Sequence, residues 1–312
     1  MRLSLLALAL LCSTPAFAQA NDAGSWVTMA DTVRVSAAGI ALPQQAGPVA
    51  LAKTGEISDP GTGMNSYARY VSPDEVVQAS VFIYRPGYAD TTLAALGTER
   101  AILERFGPGT RRAAQTVLSA GGTSGAALRI LYEGAAGGEL ALASAFVQAG
   151  PWMVKLRVTA TRDRAADVKA AVEALVAGLA FDAPATLKPA RTLAIHDCAA
   201  RDASAQWCRR DVVAVGEARF DVLQSAQAGS QGAIFIPTDD AAGLLRFDPL
   251  AGKGGYRLTR YGIGGGRVAG DFATLPSASQ IAALIDGKDA TALASRGSSG
   301  DGATVLRESI AR

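Results

Sequence analysis

The chain has 312 residues and carries 30 Lys+Arg against 28 Asp+Glu, a formal net charge of +2, with one histidine and three cysteines. No run of cations exceeds the pair Arg209 and Arg210, so the concentrated basic footprint that nucleic-acid binding requires is missing. Any chemistry that wants an imidazole has His196 alone to draw on.

The first residues, MRLSLLALALLCSTPAFAQA, place Arg2 before an apolar run from Leu3 to Leu11, then Pro15 and the small-x-small exit Ala16-Phe17-Ala18. This pattern predicts a secretory signal cleaved after Ala18 and a periplasmic or secreted protein. Lipidation at Cys12 is the competing reading, opposed by Leu11 where a small residue belongs. No later stretch approaches the roughly 18 uninterrupted apolar residues of a spanning helix, so the mature chain is expected to carry no transmembrane segment. Its length suits about two domains. Cys198 and Cys208 survive cleavage in an oxidising compartment and are expected to pair. Closing so short a loop stabilises the fold by about 2.8 kcal/mol in the chain-entropy treatment.

In chain order, residues 19–38 read as a leader. "MNSYARYV" (64–71) and "VQASVFIYR" (77–85) are rich in aromatic and β-branched residues and predict paired strands. The stretch from Tyr88 to Gly107 predicts a helix, with Asp90 as N-cap and Leu93, Leu96, Leu103 and Phe106 at helical spacing. Three antiparallel strands follow at 126–134, 139–150 and 151–161. In the last of these Val154, Leu156 and Val158 alternate with Lys155, Arg157 and Thr159, predicting one buried and one wet face. Val168, Val172, Leu175, Val176 and Leu179 then form the apolar stripe of a closing helix, with Asp163 and Asp167 in its first turn.

This order of elements, and the ending "WMVKLRVTAT…V..AV..LV..L.F", resembles the PsbP-like α/β sandwich over roughly residues 40–182. The resemblance implies an accessory or binding protein without catalytic residues, and transfers no site residue. Pro184 and Pro189 mark 183–193 as a linker. Beyond it come short strands at 219–226, 232–238, 243–249 and 255–263, then a helix opened by the Ser277/Gln280 capping box and stopped by Gly287. "ATVLRESI" near the C-terminus reads as a last strand. The expected fold class is α+β. An N-terminal antiparallel sheet with packed helices (39–182) precedes a smaller, mostly-β domain with one helix and a disulfide loop (194–312).

Candidate chemistries are each outweighed by a plainer reading. His196, Asp197 and Cys198 offer three donors, but neighbours one residue apart rarely converge on a metal, and oxidation removes the thiolates. "GGTSGA" sets Ser124 before a strand, the reverse of a nucleophile elbow, and "GSSGD" (297–301) has Asp301 where the last glycine belongs. "YGIGGGRVAG" contains G-x-G-x-x-A without a following helix to face a pyrophosphate. The carboxylates Asp239, Asp240, Glu133 and Glu139 suit turns and wet sheet faces. No catalytic residue, cofactor or metal is therefore expected. The most suggestive surface is the loop containing Gly264, Gly265 and Gly266 with Arg257, Arg260 and Arg267 around it, where cations beside backbone N–H groups suit an anion. The function expected is non-catalytic binding to another envelope protein or a small ligand; the alternative is an envelope hydrolase using paired carboxylates or His196.

Overall fold

The computed structural model describes residues 25–200, 206–225, 232–239, 241–252 and 254–289. The chain enters through β1 (Trp26–Thr28), β2 (Thr32–Val35) and β3 (Ile40–Pro43), and continues through β4 (Gln45–Ala46), β5 (Val49–Glu56), β6 (Asn65–Val71) and β7 (Gln78–Tyr84). Helix α1 (Thr91–Phe106) follows, then β8 (Arg111–Ala120), β9 (Thr123–Ala135), β10 (Leu140–Ala149), β11 (Trp152–Thr161), α2 (Ala165–Ala177) and β12 (Ala180–Phe181). The second half runs through β13 (His196–Asp197), β14 (Trp207–Val215), β15 (Ala218–Ser225), β16 (Ile234–Pro237), β17 (Leu244–Pro249), β18 (Tyr256–Gly262), β19 (Gly265–Phe272) and α3 (Ala278–Ile285).

These strands form three sheets. One is four-stranded, in the order β1-β2-β3-β12; one is eight-stranded, β4-β5-β6-β7-β11-β10-β9-β8; and one is seven-stranded, β13-β14-β15-β16-β17-β18-β19. Pairing is antiparallel throughout except between β13 and β14. The α+β expectation is thus corrected: the fold is mostly β, with half of it in strands and three α-helices among the described residues. Two of the strands richest in alanine, glycine or polar residues lie where β-propensity is low. β8 reads RRAAQTVLSA and β19 reads GGRVAGDF, so neither shows the aromatic and β-branched density that marks a strand in sequence. Residues 26–28 and 32–35, within the expected leader, are also strands, and Val33 and Val35 are buried in the core. The expected strand "ATVLRESI" lies outside the described residues.

Both faces of the eight-stranded sheet are covered. Val154, Leu156 and Val158 of β11 pack with Val81 and Ile83 of β7 beneath Val168, Val172 and Leu175 of α2. The opposite face of β11, expected to be wet, is only partly so: Arg157 and Thr159 are half-buried, and Lys155 is 4% exposed with its ammonium 4.8 Å from the centre of the Phe82 ring. The cover on that side is α1 together with the seven-stranded sheet. α1 contacts β9 and β10 on one flank and β15 and β16 on the other, so its buried residues are not confined to one stripe. One apolar cluster consequently spans both halves of the chain, joining Leu93, Leu96, Leu128, Ile130 and Phe146 to Trp207, Leu223, Phe235 and Leu244.

The second contact between the halves is a glycine hairpin. The turn joining β18 to β19 lies against residues 85–88: Gly87 N donates to Gly262 O and Gly264 N donates to Arg85 O, each at 2.7 Å. Gly264 has φ +80°, which the tight turn requires. Tyr88, next in sequence, tilts against Phe235 and Tyr261, with ring centroids 5.4 and 5.8 Å away. The third core lies on the other side of the seven-stranded sheet, where Ile281 and Leu284 of α3 pack on Val213, Phe247, Leu258 and Phe272.

Candidate functional site

Enclosing α1 between two sheets places its polar residues at a junction, and the open space of interest lies beside it. Asp90 caps the helix as its sequence predicts: Oδ1 accepts from Leu93 N at 2.9 Å. Its other oxygen accepts from Gln206 Nε2 at 2.9 Å, and the Trp207 indole N–H faces the same carboxylate without closing a hydrogen bond. Burial raises the Asp90 carboxyl above the ordinary aspartate range, against the pull of these donors.

Further along the same helix Glu99 pairs with Arg112 of β8, Nε to Oε2 at 2.8 Å. Burial raises this carboxyl as well; Arg112 opposes the rise, and Asp221 of β15 adds to it. Arg112 also holds the connecting segment. Its Nη1 and Gln115 Nε2 both donate to Leu193 O at 3.1 Å, and Leu193 N donates to Gln115 Oε1 at 2.7 Å. Leu193 places its side chain in the shared core. The expected linker is therefore bound along the sheet, with Lys188 N on Gln148 O and Ala190 N on Gly125 O before the Leu193 clasp.

A cleft opens on each side of that clasp along β8. The first, of about 480 Å³, is lined by Glu99, Leu103, Thr110, Arg112 and Tyr132. The second, of about 380 Å³, is lined by Thr92, Val117, Arg191, Thr192, Ile195 and Trp207. Both volumes suit a small ligand or a few side chains of a partner. In the first cleft Glu99 and Arg112 pair with each other, and Arg111 pairs with Glu133. The second sets apolar Val117, Ala194, Ile195 and Trp207 beside polar Thr92, Arg191, Thr192 and Gln206, with Val117 36% exposed and Trp207 3% exposed.

The residues singled out from sequence lie elsewhere. Cys198 and Cys208 are bonded, Cα–Cα 4.8 Å, and tie β13 to β14. His196 is exposed on β13 and lines neither cleft. Arg257 pairs with Asp271, Nε to Oδ1 at 2.8 Å. Arg260 donates to Leu284 O and Lys288 O at the end of α3, at 2.9 and 3.2 Å, and burial lowers its pKa. Register places Arg267 opposite Arg260, and alternation along β18 sends Arg257 to the other face. The structure therefore brings Arg260 and Arg267 together and leaves Arg257 apart. Gly264 spends its N–H on Arg85 O, while Gly265 and Gly266 begin β19 within the docked hairpin.

Asp239 closes its own turn, Oδ1 accepting from Ala241 N at 2.5 Å, and Asp240 lies outside the described residues. Glu133 pairs with Arg111 at 2.8 Å across β8 and β9, and Glu139 is exposed at the β9–β10 turn. Ser124 is exposed within β9, and "GSSGD" lies outside the described residues. Among the described residues no three of His, Cys, Asp and Glu are grouped to hold a metal ion, and no helix is long and apolar enough to cross a membrane.

The junction residues Glu99, Arg112, Arg191 and Trp207 were not singled out from sequence. Only Trp207 left a signal, as a large aromatic at the end of the otherwise polar "AARDASAQW". No protein-family model matches the chain, and no curated protein does.

Proposed function

We propose that this is an exported, non-catalytic binding protein of the cell envelope whose contact surface is the groove along β8. The observation that carries this reading is a contrast at the junction. The carboxylates of Asp90 and Glu99 are held by Gln206 and Arg112, while Val117 and Ile195 line a cleft beside the nearly buried Trp207. Apolar surface at the mouth of a concave site suits recognition of a partner or ligand. The apolar N-terminal run and the Cys198–Cys208 bond are compatible with a location outside the cytoplasm.

The test is co-purification of the tagged protein from its own cell envelope, beside a Val117→Asp variant that keeps the wild-type circular dichroism spectrum. The reading predicts a partner or small molecule retained by wild type and lost from the variant. Equal recovery from both would count against the groove.

One observation favours the hydrolase alternative: Glu99, its carboxyl raised by burial, faces an open cleft. A raised carboxyl is what a general acid needs. Turnover of envelope glycans or esters that vanishes in Glu99→Gln would establish that alternative in place of the first.

A further inference from the structure

We infer that the second cleft binds the carboxylate of a soluble, medium-chain acyl anion, a deepening that rests on the binding reading above. Its volume of about 380 Å³ lies within the range of small-ligand sites. Val117, Ala194, Ile195 and Trp207 supply apolar wall. Val117 stands out on β8 because that face of the strand otherwise carries Arg112 and Gln115, both engaged with Leu193. An aliphatic side chain left 36% exposed beside a tryptophan is surface that an acyl chain would remove from water.

Charge decides which end of such a molecule is polar. Arg191 is the one charged residue among the described residues lining this cleft. It is exposed and makes no ion pair within the described structure. Its planar fork of donors matches a carboxylate in two-point contact. Asp90 is occupied by the α1 cap and by Gln206, and does not line the cleft. The Thr92 and Thr192 hydroxyls and the Gln206 amide complete a polar rim. A cationic amphiphile would meet the Arg191 guanidinium and no carboxylate among the described lining. A bilayer surface calls for several clustered cations on an exposed amphipathic face, whereas this site is concave with one.

The probe is octanoate, titrated calorimetrically into the full mature protein, with octylamine and octanol as charge controls and anionic phosphatidylglycerol vesicles as the membrane arm. The expected result is one octanoate site, with octanol much weaker and neither octylamine nor vesicles binding. Arg191→Ala should weaken octanoate about tenfold or more, as loss of a charge-assisted contact does, and Arg191→Lys should restore part of it. Val117→Asp should abolish binding, and Arg105→Ala, remote from the cleft, should leave it unchanged. The inference is overturned if octanoate fails to bind, if octylamine binds equally, if vesicles alone bind, or if Arg191→Ala binds as wild type does. A partner recovered from the envelope and lost in Val117→Asp would leave the broader binding reading standing even then.

Discussion

Gly87→Ala tests how the two halves are joined. A Cβ at this position would lie 2.1 Å from Gly265 O and 2.3 Å from its carbonyl carbon, where ordinary contact begins at 3.4 Å. The obstacle is backbone, so no side-chain rotation relieves the overlap, and the hairpin must move away. Retreat stretches the two 2.7 Å hydrogen bonds, Gly87 N to Gly262 O and Gly264 N to Arg85 O. At about 0.5–1.5 kcal/mol each, these contribute about 1–3 kcal/mol. The Tyr88 contacts with Phe235 and Tyr261 add about 0.5–1.5 kcal/mol as they loosen. The expected loss is therefore about 1.5–4.5 kcal/mol, read as a lowered urea midpoint. Tryptophan emission, which includes Trp207 in the shared core, should change before the far-UV transition. Gly262→Ala is the control, since nothing lies within 4 Å of its added Cβ. If Gly87→Ala unfolds within about 0.5 kcal/mol of wild type, the usual scatter of neutral surface changes, the described docking of the hairpin is wrong.

Three other outcomes are expected. Glu56 accepts from Ser25, Ser58, Thr62 and the backbone N–H groups of Gly61 and Gly63. Against burial, which pushes the carboxyl up, these side-chain and backbone donors hold it at about 2 instead of the ordinary 4.5. A depressed carboxyl stabilises the fold above its unfolded pKa and loses that contribution as pH falls through its folded one. Glu56→Gln should accordingly flatten the fall in thermal midpoint between about pH 4.5 and pH 2, leaving the slope above pH 6 unaltered. Asp90→Ala removes the α1 cap and should cost about 1 kcal/mol in urea unfolding, whereas Asp90→Asn retains cap geometry and should cost less. The raised Asp90 carboxyl adds a pH signature: its protonated form is favoured in the fold, so stability from this group falls as pH rises through the folded pKa, and Asp90→Asn abolishes that fall. Cys198→Ser with Cys208→Ser should cost about 2.8 kcal/mol by chain entropy, measured as the difference in chemical unfolding free energy.

Much of the first half was legible because its elements bury one clear pattern. The α2 stripe of Val168, Val172, Leu175 and Val176 is buried as spaced, and Asp90 and Ser277 cap their helices as their positions predict. Legibility failed where neighbours in space, distant in sequence, changed an environment. Lys155 alternates like a solvent-facing residue, yet it is buried with its ammonium over the Phe82 ring, which comes from a strand distant in sequence. β8 was unreadable for the opposite reason: it edges its sheet, so alanine and polar residues are tolerated where an interior strand would need bulk. The arginine surface at Arg257, Arg260 and Arg267 was drawn from nearness in sequence, but β18 sends Arg257 and Arg260 to opposite faces. The groove itself is assembled from β8, α1, the 191–195 segment and Trp207, four pieces that no local pattern connects.

The account stands most directly on where binding occurs. Amide hydrogen exchange, with and without solubilised material from the native envelope, locates it. The predicted result is slowed exchange confined to Arg112–Leu118, Arg191–Ile195 and Trp207. Slowing centred instead on the exposed edge of β19, or none at all while envelope material is turned over, would contradict it.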